Sequence, residues 1–367
     1  MSPAPEQTQR ITRLTPVADV LAQIDKRVVP VRARSVLADV GMTAAQDLSG
    51  ARLPTQAIAL RDGWAVAADL VGDAGPYAPV PLTRPEWVDQ GTPLPDGTDA
   101  VLPADAVSQS DGIVQAVASV APGDGVLLAG ADAIPDMPLR KAGERLRALD
   151  IAALRLAGLH QFAVHLPRIH LVASDAGLHR GREETAWLIT RLIGGEAEVT
   201  RGETLEHAIG NDRSAAIIAI GGTGQGRNDR SVATLARLGQ LDLHGIALSP
   251  GDTAAFGMAG TRPVLLLPGR FDAALAVFLV VGRHLVARLA GRTSEATHTT
   301  VRLARKITST VGMTELVPVR LAEDGATPLA SGVLPLQALT RANGYVLVPP
   351  ESEGYQAGAE VEMHPFP

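Results

Sequence analysis

Residues 217–230 read IIAIGGTGQGRNDR: four apolar residues, four glycines within six positions, then polar residues that open a helical pattern. Glycine-rich loops ahead of helices often cradle phosphates, but the two standard motifs are excluded by spacing. Counting from Gly222 through Gly224 puts Arg227 where a dinucleotide fingerprint needs its third glycine, and Gly226 is followed by Arg227 and Asn228 where a P-loop needs Lys and Ser or Thr. What remains is a buried strand, a loop whose backbone N–H groups are bare, and a helix start with partial positive charge, a combination suited to an anion such as phosphate. A glycine-rich turn needed only for close packing would read the same way.

The elements around this loop favour the first. From 168 to 291 strands and helices alternate: RIHLVA, REETAWLITRLIGG, AEVT, TLEHAIG, AAIIAI, RSVATLARLG, LHGIALS, PVLLLPG and an apolar helix. Such alternation implies a parallel sheet covered on both faces, with ligands beyond the carboxyl ends of its strands. Those ends carry SDAGLHRGR at 174–182, TRGE at 200–203, SPGD at 249–252 and LPGR at 267–270, besides the glycine loop, so a composite site is expected. Arg180, Arg182, Arg201, Arg227, Arg230 and Arg270 sit on these loops; at least three are expected to line one crevice with Gly222 and Gly224, gripping phosphate in bidentate fashion.

The remaining chain sets limits. Before Pro167, Pro- and Gly-punctuated apolar runs such as DAVLPADAV and GDGVLLAG suit an all-β region, flanked by the helices PVADVLAQIDKRV and ALDIAALRLAGL, the second with Leu149, Ala152, Ala153 and Leu156 on its apolar face. After about 299, LVPVRLA and GYVLVPP return to β pattern. At 367 residues several domains are expected, and no internal repeat is found. A net charge of −6 with 3% aromatics provides neither the electrostatic footprint nor the stacking platforms for nucleic acid. No cysteine is present, which excludes disulfides, thiolate metal sites and cysteine nucleophiles. The apolar stretch FDAALAVFLVVGRHLVARLAG at 271–291 is interrupted at Arg283, short of the roughly twenty residues a bilayer requires, and reads as a buried helix. The polar N-terminus lacks an apolar targeting segment, so the expected location is cytoplasmic, with no membrane partner. His160, His165 and His170 recur at a spacing that spreads them over different faces, as packed or surface residues; His179 is a loop histidine. Glu183 and Glu184 suit the start of a helix.

Six blocks occur in the order seen in the molybdopterin molybdenumtransferase family, that of MoeA and the gephyrin E domain: LRDGWAVAAD at 60–69, GTPLPDGTDAVLPAD at 91–105, GGTGQGRND at 221–229, LHGIALSPG at 243–251, LLLPG at 265–269 and SGVLPLQALTRANGYVLVPP at 331–350. The chain resembles this family from about residue 14 onward. The resemblance implies a multidomain α/β plus all-β fold: a helical linker domain (1–50 and 138–166), an inserted β domain (51–137), a three-layer α/β molybdopterin-binding domain with a parallel-rich sheet (167–298) and a C-terminal β-barrel (299–367). It also implies an elongated homodimer, an active cleft between the α/β domain of one subunit and the β domains of the other, and the insertion of molybdenum from molybdate into molybdopterin, delivered adenylylated, with Mg2+ taking part. A recipient apo-molybdoenzyme would be the further partner.

Carried over residue by residue, the resemblance assigns catalytic roles to Asp62, Asp132 and Asp229, with Asp229 also a metal ligand. Cofactor binding falls to Gly221, Gly222, Thr223, Gly224, Gly226, Arg227, Pro250, Gly251, Pro268, Gly269, Arg270 and Ser331. Elsewhere the chain departs from the family pattern. Gly177 stands where a Glu is usual, Arg201 and Gly202 where an Asp is usual, Ser249 and Asp252 where two lysines are usual, and Pro318 where a basic residue is expected. LPGRF replaces LPGNP, and GGTGQG replaces GGVSVG. Two readings follow: a molybdenumtransferase with a substituted site, or a non-catalytic carrier that presents molybdopterin or its metal-loaded form to a molybdoenzyme.

Overall fold

The computed structural model describes residues 9–110, 112–173, 181–202, 204–211, 213–293 and 298–366. The chain divides into two compact units, Met1–Gln46 with Ala142–Arg147 and Phe162–Pro367, and Asp47–Lys141 with Ala148–Gln161.

The first unit is built on a six-stranded sheet, in the order Glu198–Gly202, Arg168–Ala173, Ala216–Ile220, Arg262–Leu267, Ala255–Ala259, Gln240–His244. The first four strands are parallel, Ala255–Ala259 runs antiparallel to them, and Gln240–His244, paired antiparallel with it, runs with the first four. Side chains alternate between two apolar layers, as strand geometry dictates. Ile169, Leu171, Ile218, Ile220, Leu265 and Leu267 face the helices Val17–Arg27, Arg182–Ile193 and Phe271–Leu289, whereas Val172, Ile217, Ala219, Val264 and Leu266 face Leu205–Gly210 and Ser231–Leu238. Three layers result.

The far edge differs from the sequence expectation of one strand across LHGIALS. Gly245 turns the chain at φ +102°, with Arg13 and Ile11 packed where a side chain would begin, so that Gln240–His244 stays in the α/β sheet and Leu248–Ser249 leaves it. The latter pairs in parallel with Thr314 and Glu315 of the C-terminal sheet. Ala255–Ala259 is a strand despite Gly257, because only a glycine lets the Gln240 carbonyl approach there.

The run Phe271–Leu289 is helical throughout, with a π-turn at Phe278–Gly282. One side packs Ala274, Val277, Phe278, Val281 and Leu285 into the α/β core; the other packs Leu275, Ala276 and Leu279 against Leu316, Leu334 and Tyr345. Burial on two sides explains why it is apolar nearly all round. Among the described residues no helix is long and apolar enough to cross a membrane.

The C-terminal sheet runs Leu248–Ser249, Thr314–Ala322, Gly344–Val348, Glu360–Pro365, Thr299–Arg302, with Gly325–Pro328 pairing farther along Thr314–Ala322 on the same edge as Leu248–Ser249. A bridge from Leu303 to Ala326 joins the two ends and closes a barrel around Val301, Val317, Val319, Val346, Val348 and Met363.

The second unit holds two three-stranded sheets, a two-stranded one and the helix Ala148–Leu156. This helix buries Asp150, Ile151 and Leu154, and leaves Leu149 and Leu156 exposed, reversing the face expected from sequence. The cause is the partly buried ion pair of Asp150 with Arg140 and the close approach of Gly50 to Ala157.

Phe278 is fully buried in the seam helix. Phe278→Ala is expected to cost ~3–5 kcal/mol, read as a lowered urea midpoint with an unchanged m-value.

Candidate functional site

The carboxyl ends of Ala216–Ile220 and Arg262–Leu267 open into a crevice of about 370 Å³. The glycine loop contributes Gly222, Thr223, Gly224 and Asp229; the next strand end contributes Pro268, Gly269 and Arg270. Ser249, Pro250, Gly251 and Asp252 reach it from the strand that deserted the sheet, and Arg182 from the first turn of its helix. Met313 and Gly332 of the C-terminal barrel complete the wall within the same chain. The glycine loop and Gly332 thus share one crevice within a single chain, and Ser331 lines an adjoining cavity of about 260 Å³ with Ser249, Thr308 and Thr310. Ser331 is held there by the buried Glu315, which accepts from Ser331 Oγ at 2.5 Å and from the Gly332 N–H at 2.8 Å.

Each glycine of the loop has a visible reason. A Cβ at Gly221 would fall 2.9 Å from the Arg182 guanidinium carbon, and one at Gly222 would fall 2.4 Å from Ser231 Oγ. At Gly224 and Gly226 it would meet the Asp229 carboxylate at 2.7 and 2.9 Å. Positive φ at Gly221 and Gly222, +92° and +73°, adds to this. The side-chain face of the loop is thus packed by the chain itself. Its amide face is open: among the described residues the N–H groups of Gly222, Thr223 and Gly224 donate to nothing. Thr223 is buried, with its Oγ1 3.1 Å from Thr253 Oγ1 and its carbonyl 2.9 Å from His244 Nε2, which fixes the loop to the neighbouring strand-end segment.

Asp229 does not cap the helix. The N-cap position of Ser231–Leu238 is Arg230, and Asp229 Oδ2 accepts the Gly226 N–H at 2.8 Å, closing a turn inside the loop. Gly221, Gly226 and Arg227 are not among the lining residues; Gly221 makes room for Arg182, Gly226 for Asp229, and Arg227 is exposed. Asp62 and Asp132 lie in the second unit, where Asp62 Oδ1 accepts the Gln90 N–H at 2.7 Å. Among the described residues no group of three or more His, Asp or Glu side chains that could hold a metal ion is found.

Of the five loop arginines among the described residues, Arg182 and Arg270 line the crevice. Arg201 is instead paired with Glu183 in the first turn of the neighbouring helix, and Arg227 and Arg230 stand outside the lining. Arg180, His179 and Gly177 lie outside the described residues. His170 packs against Thr200 at 2.9 Å, its pKa lowered by burial and by nearby positive charge.

Sequence reasoning missed Asp272. Arg270 donates to it through Nε at 3.1 Å and Nη2 at 2.6 Å, and Asp272 also accepts the Leu334 N–H at 3.1 Å. Burial alone would raise its carboxyl pKa, but the Arg270 and Leu334 hydrogen bonds together hold it below the ordinary carboxylate range. The bidentate pair leaves three N–H donors of Arg270 for a ligand. The one signal in the sequence was an acid in the first turn after PGRF.

A three-layer α/β domain with an open amide loop at its strand ends, joined to a β-barrel, is the architecture of multidomain molybdopterin-binding proteins. Three family models match in order: the MoeA N-terminal region (domain I and II) over residues 8–158, the "Probable molybdopterin binding domain" over 190–288, and the MoeA C-terminal region (domain IV) over 300–366. The chain belongs to the MoeA family. It is 27% identical to molybdopterin molybdenumtransferase 1 of Mycobacterium tuberculosis over 312 residues, 75% of this chain and 72% of that one. Two crystal structures of the molybdopterin biosynthesis MoeA protein from Pyrococcus horikoshii share its fold, with TM-scores of 0.78 and 0.72 at 20% and 25% identity, covering 96% and 97% of this chain and 100% of each of those.

Asp272 is depressed in the folded state, so its contribution is present above the ordinary Asp pKa and is lost as pH falls through the folded value. Asp272→Asn should cost ~1–2 kcal/mol at neutral pH, discounted for the exposed Arg270 head. In urea titrations the gap to the parent chain should close below about pH 4.

Proposed function

We propose that this chain acts in molybdenum cofactor biosynthesis by binding molybdopterin in the crevice and inserting molybdenum from molybdate. The observation that carries this reading is the row of amides at Gly222–Gly224, unpaired among the described residues, in one crevice with Arg182 and Arg270. Backbone donors and arginine forks together suit the phosphate of the pterin. The arginines take the part of the lysines replaced by Ser249 and Asp252, with planar recognition in place of point charge.

Molybdopterin would arrive as its adenylylated adduct, the second phosphate lying along the same wall. Mg2+ is commonly held by one or two carboxylates together with substrate phosphates, and Asp229 and Asp252 are the acids at hand. The ion would then enter with the substrate, in keeping with the small number of ligands that the chain supplies. The pair of acids Asp229 and Asp252 in the crevice favours insertion over a carrier role, since a pure carrier of an anion needs no place for a cation. The Mycobacterium tuberculosis relative, named a molybdenumtransferase, supports the same choice. A homodimer, a cytoplasmic setting and transfer to a recipient apo-molybdoenzyme complete the reading.

The test is reconstitution of an apo-molybdoenzyme by the purified chain with molybdopterin and molybdate. Arg270→Ala should weaken molybdopterin binding about tenfold or more, the loss of a charge-assisted hydrogen bond. Asp229→Asn keeps an acceptor for the Gly226 N–H, so binding should persist while insertion falls. A parent chain that binds no molybdopterin sinks the proposal.

A further inference from the structure

The glycine loop is held from outside the α/β domain's own sequence. Gln9 Nε2 donates to the Gly222 carbonyl at 3.0 Å and to the Gly224 carbonyl at 2.9 Å, while its Oε1 accepts the Ala233 N–H at 2.9 Å. All three hydrogen-bonding directions of the carboxamide that these contacts need are in use. Ala233 is the third residue of the helix Ser231–Leu238, whose N-cap residue offers no side-chain bond, so Gln9 fills the role of a cap from more than two hundred residues away.

In a planar trans peptide the carbonyl and the following N–H point in opposite directions. Turning the Gly222 and Gly224 carbonyls toward Gln9 therefore turns the N–H groups of Thr223 and Gln225 away from it. Gln9 is not a lining residue of the crevice, and Thr223 is. The Gly222 carbonyl has a second partner, the Ser231 N–H at 2.9 Å, but the Gly224 carbonyl has only Gln9 among the described residues. With glycine on its amino side, that peptide plane can flip at little cost once released.

The geometry points to Gln9 as a positioning residue that sets which edge of the glycine loop faces the bound anion, and that reserves the helix-start amide of Ala233 so that the phosphate is taken by the loop instead. This rests on the proposed binding of molybdopterin in the crevice. It is tested in the full chain with Gln9→Met, which keeps volume and loses both functions, and Gln9→Glu, which keeps an acceptor for Ala233 but sets a carboxylate against two carbonyls. Hydrogen exchange over residues 222–235 and molybdopterin affinity are measured beside the melting temperature. Gln9→Met should exchange about tenfold faster at Ala233 and bind about tenfold more weakly, with global melting unchanged. Gln9→Glu should keep Ala233 protected and still lose affinity. Parental affinity in both variants overturns the inference. If the parent chain itself binds no molybdopterin, the proposed function fails, and the exchange data alone decide whether Gln9 holds the loop: unchanged exchange in Gln9→Met overturns it.

Discussion

The helix from Phe271 to Leu289, buried against two sheets at once, is the constraint to which the crevice answers. Pro268–Arg270 lead directly into it, and Asp272 in its first turn reaches across to the Leu334 N–H. Gly251 lies so close to it that a Cβ would fall 2.5 Å from Val277. Each fully buried aliphatic or aromatic side chain contributes ~1.5–3 kcal/mol, against ~1 kcal/mol for a single hydrogen bond. The apolar seam therefore sets where the walls stand, and the polar ties set how their side chains are aimed.

The glycine loop satisfies both readings that its sequence allows. Its side-chain face is filled by Arg182, Ser231 and Asp229, so the glycines are needed for packing. Its amide face is unpaired among the described residues, so the same residues are also available to an anion. Close packing on one side is what keeps the other side in place.

Much of this was legible in residue order. Two-sided burial of the strands, the glycine loop at a strand end and the buried apolar helix all follow from local pattern, because each depends on residues near one another in sequence. What escaped depends on long-range pairing. The division of LHGIALS between two sheets turns on what packs against Gly245, and the helix at 148–156 buries an acid because Arg140 waits for it. Arg201 pairs instead with Glu183, at the start of the helix that precedes its own strand. That Gly332 of the barrel shares a crevice with the glycine loop depends on the barrel's attachment to the helix seam, which cannot be read from either segment alone.

The crevice wall carries two guanidinium groups and two carboxylates, Arg182 and Arg270 against Asp229 and Asp252. Opposed charges so close together cancel beyond a few ångströms, and the chain as a whole bears −6. A multiply charged pterin in free solution would feel no pull toward this opening, only a weak repulsion. Its capture then depends on contact rather than on field: the amides and the guanidinium groups act only once it has reached the wall.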